Sequence, residues 1–299
     1  CGETLLYSPL FDNVFTLDPC TIAAHRIARG NIGEHVFYLP AAANTEHFTQ
    51  QPYEGRQIPA FFLGNAELPP RPAWLDLVER EVPGADIRYR SEIRAGHRVP
   101  VAKGAERWIP YADHPKWYGN CVVGLNVHRS PWITEQCFIQ RVQQRNPSRP
   151  VPNGASLCKT ATEFGTGFWN DLNLPAGHVN PRFFEMAACG TLVVSDDARF
   201  EMARMFPMAP RAATPERFLE LVRYYLEHQD EAEMIGAACS MVVSKRHSFR
   251  HRAAEVLVRT GLVDASEVGQ SSYLGAPGEW LTTQHFDWLS SASPSDLTG

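Results

Sequence analysis

Short apolar segments alternate with amphipathic segments along the chain, and this alternation limits the folds that the chain can adopt. The amphipathic segments are typical of helices, because their hydrophobic residues recur every three to four positions. Strands and helices in alternation favour an α/β fold, a doubly wound parallel sheet with helices on both faces. Strands are predicted in segments 13–18, 35–42, 58–65, 86–92, 120–129 and 191–196. Helices are predicted in segments 21–30, 71–84, 181–189, 214–246 and 248–262.

The 299-residue chain is long enough to bury a large core in one or two domains. Its hydrophobic content of 44% and charged content of 20% are typical of a soluble globular protein. The net charge of −5 disfavours generic binding to nucleic acid or to anionic membranes. The sequence contains no apolar run long enough to span a membrane and no signal peptide, so we expect a cytoplasmic protein.

The seven cysteines are odd in number and contain no C-x-x-C pair. This pattern favours reduced, buried side chains over disulfide bonds or a zinc site. The chain has no initiator methionine and opens close to an apolar segment, so we also expect it to be a piece of a longer protein.

Ligands of doubly wound sheets bind beyond the carboxyl ends of the strands, near the N-termini of helices. In this sequence that rule selects the positions that follow Gly64, Asn126 and Asp196, and the helix start at Asn180. We therefore expect the ligand-binding residues to lie in these segments.

The segment GHVNPRFFE (177–185) has the features of an anion-binding helix start. Asn180 is a good N-cap, and the proline after it suits a first turn whose N–H groups can bind a phosphate. Arg182 would add a forked, permanently charged donor, and His178 is assigned to the same binding site. Glu185 lies one turn further along, where a carboxylate could accept from the two hydroxyl groups of a ribose. The alternative is that Glu185 only complements the helix dipole.

The segment GLNVHRS (124–130) lies where a predicted parallel strand gives way to its loop. Asn126 and Arg129 are candidates for positioning a ligand. His128 is a candidate catalytic residue, but as a base it needs a partner that the sequence does not identify. We favour a structural histidine over a catalytic one at this position.

The segment FFLGNAELPPR (61–71) contributes two further candidates. Gly64 ends a buried strand and would allow the backbone to approach a ligand closely. Arg71 begins the next helix and could point at a phosphate. The alternative is an ordinary surface arginine.

Several common enzyme motifs are missing from the sequence. Without a G-x-x-x-x-G-K-[ST] motif the chain is not a P-loop NTPase, and without G-x-S-x-G it has no α/β-hydrolase elbow. No G-x-G-x-x-G follows a strand, which counts against a dinucleotide oxidoreductase. The eleven histidines form no cluster with metal-ligand spacing, so we predict no metal site.

The segment NPRFFEMAACGTLVVSDD (180–197) resembles the donor-site segment of group 1 glycosyltransferases with the GT-B fold, in which a glutamate shortly precedes a Cys-Gly pair and a strand. The sequence is more similar still to the CgeB-like branch, which is named after the spore maturation protein CgeB. Six segments in the same order carry this resemblance: FDNVFTLD, HVFYLPAAANTEHF, AFFLGN followed by an arginine, VVGLNVHR, NPRFFEMAACGTLVVSDD and RHSFRHRAAEVL. Together they span residues 10 to 260.

The resemblance implies a fold of GT-B type, with a Rossmann-like doubly wound parallel sheet in a C-terminal donor domain and an incomplete N-terminal acceptor domain. Residues 1–48 are assigned to a remnant of the acceptor domain. Residues 49–262 are assigned to the nucleotide-sugar-binding domain, in which residues 131–176 form a long inserted loop region. Residues 263–299 are the C-terminal tail.

The resemblance also implies an enzyme of the hexosyltransferase type, which moves a sugar from a nucleotide-diphosphate donor to an acceptor hydroxyl. UDP is the commonest nucleotide of this class, and transfer is expected to be retaining, with neither a metal nor a cofactor beyond the donor. By the same resemblance Glu185 binds the ribose, and Asn180 and Arg182 hold the pyrophosphate. Arg71 takes the part of the basic residue after the first strand of the donor domain. Arg182 would also stabilise charge on the leaving diphosphate, which makes it a catalytic candidate.

Departures from the group 1 pattern leave other functions open. Group 1 enzymes often carry a second glutamate eight residues before the ribose glutamate, whereas this sequence has Gly177 there, as CgeB-like sequences tend to. Gly177 and the shortened N-terminal half also fit a non-catalytic nucleotide-sugar-binding or assembly module. A phage-type enzyme that glycosylates DNA bases is a further alternative, which the acidic charge disfavours. The acceptor is left open among a glycan, a small molecule, a protein and modified DNA.

Overall fold

A computed structural model describes the chain at residues 7–64, 70–89, 93–94, 97–98, 109–128 and 176–268. The described residues divide into two compact units at residue 40, before the domain boundary expected at residue 48. The inserted region expected at 131–176 lies outside the described residues except for its last position, and so does most of the tail expected at 263–299.

The smaller unit, up to residue 39, contains a parallel pair of short strands joined by a helix. β1 (Val14–Thr16) pairs with β2 (Val36–Tyr38). α1 (Ile22–Arg29) connects them and ends at Gly30, whose φ of +58° a glycine adopts without steric cost. This βαβ arrangement confirms both strands and the helix predicted for this part of the chain.

The larger unit is built on a five-stranded parallel sheet. In chain order, the strands described after β2 are β3 (Ile58–Gly64), β4 (Asp86–Tyr89), β5 (Ile93–Arg94), β6 (His97–Arg98), β7 (Cys121–Asn126), β8 (Leu192–Asp196) and β9 (Arg211–Ala212). β5 and β6 form a separate antiparallel pair, and the other five form one sheet in the order β4-β3-β7-β8-β9 with all neighbours parallel. The order runs outwards from β3 in both directions, so the sheet is doubly wound and the predicted α/β fold class is confirmed.

Helices cover both faces of this sheet. They are α2 (Arg71–Glu81), α3 (His114–Gly119), α4 (Pro181–Ala188), α5 (Phe200–Met205), α6 (Pro215–Glu227), α7 (Gln229–Arg246) and α8 (Phe249–Arg259). Phe62 packs on one face in a buried cluster with Trp74 of α2 and Phe218 of α6. Its neighbour Phe61 points to the other face, where it stacks on Trp117 of α3. Because both faces are covered, the central strands are apolar except at their carboxyl ends, where Asn126, Ser195 and Asp196 are buried.

The segment predicted to be helical over 214–246 is confirmed as helical, and it forms two helices, α6 and α7, with a break that was not predicted. Thr214 caps α6, and its Oγ1 accepts from the Arg217 N–H at 3.2 Å. The break comes at His228, whose ring stacks on the ring of Tyr224 and whose Nδ1 lies 2.8 Å from the Tyr224 carbonyl oxygen. These contacts complete α6, and acidic residues in the next turn favour a new helix start.

Arg56 ties the amino ends of β7 and β8 together. Its guanidinium donates to the Cys121 carbonyl oxygen at 2.9 Å and to Thr191 Oγ1 at 3.1 Å. It also donates to the Gly190 carbonyl oxygen at 3.2 Å. A buried carbonyl group without a donor destabilises the folded chain, so this one side chain satisfies acceptors that the sheet itself leaves open.

We expect Arg56→Met to lower the free energy of unfolding by about 2–4 kcal/mol, because several carbonyl groups lose their donor. The matched control is Arg217→Met, which removes an exposed arginine that pairs with Glu220 on the surface of α6. The control should lose less than about 1 kcal/mol. Urea denaturation measures both values, and equal losses would contradict the role given to Arg56.

Candidate functional site

The strand order of the sheet reverses between β3 and β7, and the carboxyl ends of these strands border the crevice where such sheets bind ligands. Gly64 is the last residue of β3, and Asn126 is the last residue of β7. The N-terminus of α4, which follows Asn180, lies at the same edge. The segments selected from the sequence therefore meet there.

A chain of side-chain hydrogen bonds fixes the start of α4 to the ends of β7 and β8. Asn126, with 1% of its surface exposed, donates from Nδ2 to Ser195 Oγ at 2.8 Å. Its Oδ1 accepts from Asn180 Nδ2 at 2.5 Å. The Oδ1 of Asn180 accepts from the Phe183 N–H at 3.2 Å, which confirms the predicted N-cap. Both polar atoms of the Asn126 side chain are thus bonded within the protein.

Arg182, in the first turn of α4, lies against the end of β3. A methyl group added to Gly64 would come within 2.4 Å of Arg182 Nη1, which is closer than nonbonded atoms pack. The guanidinium also faces the ring of Phe62, with Cζ 5.5 Å from the ring centroid. Glycine at position 64 therefore makes room for the charged group, and the structure brings two of the predicted site residues together.

Glu185 lies one turn further along α4 and is mostly buried. Tyr118 donates a hydrogen bond to its Oε2 at 3.4 Å. Burial raises the pKa of Glu185 to about 6, against the opposing effects of Arg182, the Tyr118 hydrogen bond and His47. Its Oε1 has no hydrogen-bond partner among the residues that the structure describes. A glutamate that only complemented the helix dipole would be exposed in the first turn, and the first turn of α4 contains no acidic residue.

His128 has an acidic partner, which the sequence did not identify. Its backbone N–H donates to Asp196 Oδ2 at 2.7 Å, and its ring Nδ1 lies 2.5 Å from Asp196 Oδ1. Burial lowers the pKa of His128 against the opposing effect of Asp196, which favours a neutral ring that donates from Nδ1. The Nε2 atom is buried and bonds to none of the described residues. The hydrogen-bonded pair of His128 and Asp196 joins the ends of β7 and β8. A catalytic role for His128 stays a prediction.

Three other residues were predicted for the site: Arg71, His178 and Arg129. Arg71 Nε donates to the Val127 carbonyl oxygen at 2.6 Å, so the side chain reaches across to the residue that follows β7. His178 lies close enough to His128 to lower the pKa of that ring. Arg129 lies outside the described residues.

Gly177 is packed against an aromatic ring. A methyl group added to Gly177 would come within 2.4 Å of the ring of Phe200 in α5. A glutamate here, as in many group 1 enzymes, could be accommodated only if that ring moved. The glycine at position 177 thus fits the position of the Phe200 ring, which a larger residue would displace.

Tyr118 is the site residue that sequence reasoning missed. It lies in α3, 67 positions from Glu185 in the chain, and no motif surrounds it. Its one distinguishing mark in the sequence is its place just before a predicted strand, which many buried tyrosines share.

Three further features bear on the chemistry of the described residues. Within the described part of the chain, no three or more metal-ligating side chains come together as a cluster. The cysteines described there are buried and free: Cys20, Cys121, Cys189 and Cys239. None of the helices in the same residues has the length and hydrophobicity that crossing a bilayer requires.

Comparisons with known proteins agree with this architecture. Residues 160–258 match a protein-family model described as "Glycosyl transferase-like". The structure is similar to that of sucrose-phosphate synthase from Thermosynechococcus elongatus, with a TM-score of 0.51 and 11% sequence identity, over 88% of this chain and 62% of that one. No curated protein sequence matches the chain. The likeness confirms the Rossmann-like, GT-B-type fold class, and the chain spans less than two thirds of the length of the synthase.

Two N-caps of the larger unit, Asn180 and Thr214, provide a test of the hydrogen-bond chain at Asn126. We expect Thr214→Ala to lower the free energy of unfolding by about 1 kcal/mol, the usual value for the loss of a cap. Asn180→Ala should lower it by about 2–3 kcal/mol, because it also leaves the buried Oδ1 of Asn126 without its donor. Urea denaturation gives both values. Equal losses would show that the bond to Asn126 contributes nothing.

The buried position of Glu185 predicts a pH-dependent difference in stability between the wild type and Glu185→Gln. Below pH 4.5 the carboxyl is protonated in both the folded and the unfolded chain. Between pH 4.5 and about 6 only the folded chain keeps the proton, so the stability of the wild type falls as pH rises through this range. Glutamine does not titrate, so the variant should gain about 2 kcal/mol on the wild type between pH 4 and pH 7. A difference that stays constant over this range would refute the raised pKa.

Proposed function

We propose that the chain is a glycosyltransferase, or the donor-binding part of one, related to the CgeB-like branch of group 1 enzymes. It transfers a sugar from a nucleotide-diphosphate donor, with UDP as the nucleotide, to a hydroxyl group of an acceptor. The observation that carries this proposal is the pairing of an anion-binding helix start with a mostly buried carboxylate one turn behind it. The family match and the structural likeness to sucrose-phosphate synthase support glycosyl transfer in general.

The arrangement of α4 matches the order of groups in a nucleoside diphosphate. Asn180 and Arg182 stand at the helix start, where N–H groups and a guanidinium bind the diphosphate. Glu185 follows Arg182 by three positions, which places the two side chains on neighbouring parts of one helix face. The carboxylate, with Oε1 open, then accepts from the ribose hydroxyl groups.

The reaction breaks the bond between the anomeric carbon and the diphosphate and forms a bond from that carbon to the acceptor oxygen, with release of the acceptor proton. Negative charge develops on the diphosphate as it leaves. The helix start and Arg182 stabilise this charge, which is electrostatic catalysis by groups already in place. Because these groups supply the positive charge, the proposed step requires no metal ion, and we propose a retaining reaction by resemblance alone.

A non-catalytic donor-binding module is the second candidate. The packing of Gly177 against Phe200 favours it, because a glutamate side chain at position 177 would collide with this ring at its first carbon. The two candidate functions differ in one measurable property: a transferase releases the nucleotide from a bound donor sugar, whereas a binding module does not. A chain that binds donor but neither hydrolyses nor transfers it, even with any upstream sequence included, is a binding module.

Calorimetry against UDP-, GDP-, ADP- and TDP-sugars tests the donor site. We expect at least one donor to bind and Glu185→Ala to weaken that binding about 10- to 100-fold, through the loss of hydrogen bonds to a charged group. The matched control is Glu220→Ala, an exposed glutamate on α6, which should leave the affinity unchanged. No binding of any donor, or equal binding by Glu185→Ala, would remove the ribose assignment.

A further inference from the structure

Tyr118 links the two charged residues of the candidate site. Its side chain is fully buried and packs against the rings of Phe61 and Phe48. The hydroxyl group donates to Glu185 Oε2 at 3.4 Å. The guanidinium of Arg182 also lies near this hydroxyl group, where its charge opposes the effect of burial on the pKa of Tyr118. One buried phenol thus bonds to Glu185 and lies near Arg182, the two charged residues of α4 that the proposed function assigns to the donor.

The hydroxyl group has a fixed direction of donation. A phenol has one proton to donate, and burial raises the pKa of Tyr118 strongly, so the group keeps that proton at any physiological pH. An ionised carboxylate has only acceptors, so Glu185 Oε2 accepts that proton in the bond of 3.4 Å. The proton of Tyr118 is therefore directed to Glu185.

A fixed donor restricts how the carboxylate can turn. Oε2 is held by Tyr118, and Oε1 has no partner among the described residues, so the plane of the carboxylate is set before a ligand arrives. A carboxylate can accept from two neighbouring hydroxyl groups only in a narrow range of orientations, and a side chain held in place by its neighbours binds such a pair best.

We propose that Tyr118 is a positioning residue that orients Glu185 toward the 2′- and 3′-hydroxyl groups of a ribose, and that it thereby makes the site select ribonucleoside over 2′-deoxyribonucleoside diphosphates. This inference rests on the proposed function. A site built to bond a hydroxyl group discriminates against the analogue without it, because the acceptor is then left unpaired.

The test compares matched pairs of ligands by calorimetry: UDP with 2′-deoxy-UDP, GDP with 2′-deoxy-GDP, and ADP with 2′-deoxy-ADP. The wild type should prefer the ribo form of its nucleotide by about 10-fold or more. Tyr118→Phe should weaken binding of the ribo form about 5- to 20-fold and leave the deoxy form nearly unchanged, so that the preference largely disappears. The matched control is Tyr53→Phe, which removes another buried phenol hydroxyl with no hydrogen-bond partner among the described residues. It should alter neither affinity.

The pH dependence gives a second readout that a purely structural role would not move. The groups that act on Glu185 are Arg182, Tyr118 and His47, and Glu185 in turn raises the pKa of Tyr111 and Cys189. The Tyr118 hydrogen bond lowers the pKa of Glu185. Its loss in Tyr118→Phe should therefore raise the pH at which ribonucleotide binding is half-maximal above the wild-type value near 6.

Each outcome decides the inference. If the wild type prefers the ribo form and Tyr118→Phe keeps that preference, Tyr118 does not orient Glu185, while the proposed function stands. If no nucleotide diphosphate binds to the wild type, the proposed function falls and this inference with it. Should Tyr118→Phe fail to fold, Tyr118→Met replaces it, because methionine also lacks the hydroxyl group and adapts to an apolar site. That variant should lose the same preference, and an unchanged preference overturns the inference.

Discussion

One buried amide, that of Asn126, holds the parts of the candidate site in register. It bonds to Ser195 of β8 on one side and to Asn180, the cap of α4, on the other. A polar side chain at the end of an apolar strand is destabilising to bury unless its groups are bonded, and here both polar atoms are. Because Arg182 and Glu185 stand at fixed offsets from Asn180 on one helix, the position of the cap determines where both charges lie.

The other end of α4 is fixed by packing. A methyl group on Gly236 of α7 would come within 2.4 Å of the Gly190 carbonyl oxygen, so α7 approaches the turn after α4 as closely as only glycine permits. Arg56 donates to that same carbonyl group at the amino edge of the sheet. Held at both ends, α4 is a rigid support, and residues on rigid elements keep the geometry that a binding site needs. At the amino edge the polar groups of Arg56 and Gly190 bond to each other, whereas Oε1 of Glu185 bonds to none of the described residues.

A feature of the fold could be predicted from the sequence when the residues that determine it lie close together in the chain. The Asn180 cap and the start of α6 followed from residues within one helical turn, and the strands from their apolar runs. The break at His228 was missed because it depends on a ring stacked on Tyr224 rather than on a helix-breaking residue. Tyr118 and the Asp196 partner of His128 lie more than sixty positions from the residues that they contact, and only the folded sheet brings them together. Local sequence signals therefore selected residues of the candidate site, and the fold determines how those residues are arranged.

The environment of Glu185 favours a ligand that carries an anion and hydroxyl groups in one molecule. A mostly buried carboxylate with a pKa of about 6 destabilises the folded chain at neutral pH, and a glutamine would fill the same space without that effect. A free phosphate would need the helix start and Arg182 but not this carboxylate. A neutral sugar would need the carboxylate but not the cation. A nucleoside diphosphate uses both, because its ribose hydroxyl groups follow its phosphates at about the distance that separates neighbouring turns of a helix. A ligand of the proposed class would thus account for both Glu185 and the nearby helix start with Arg182.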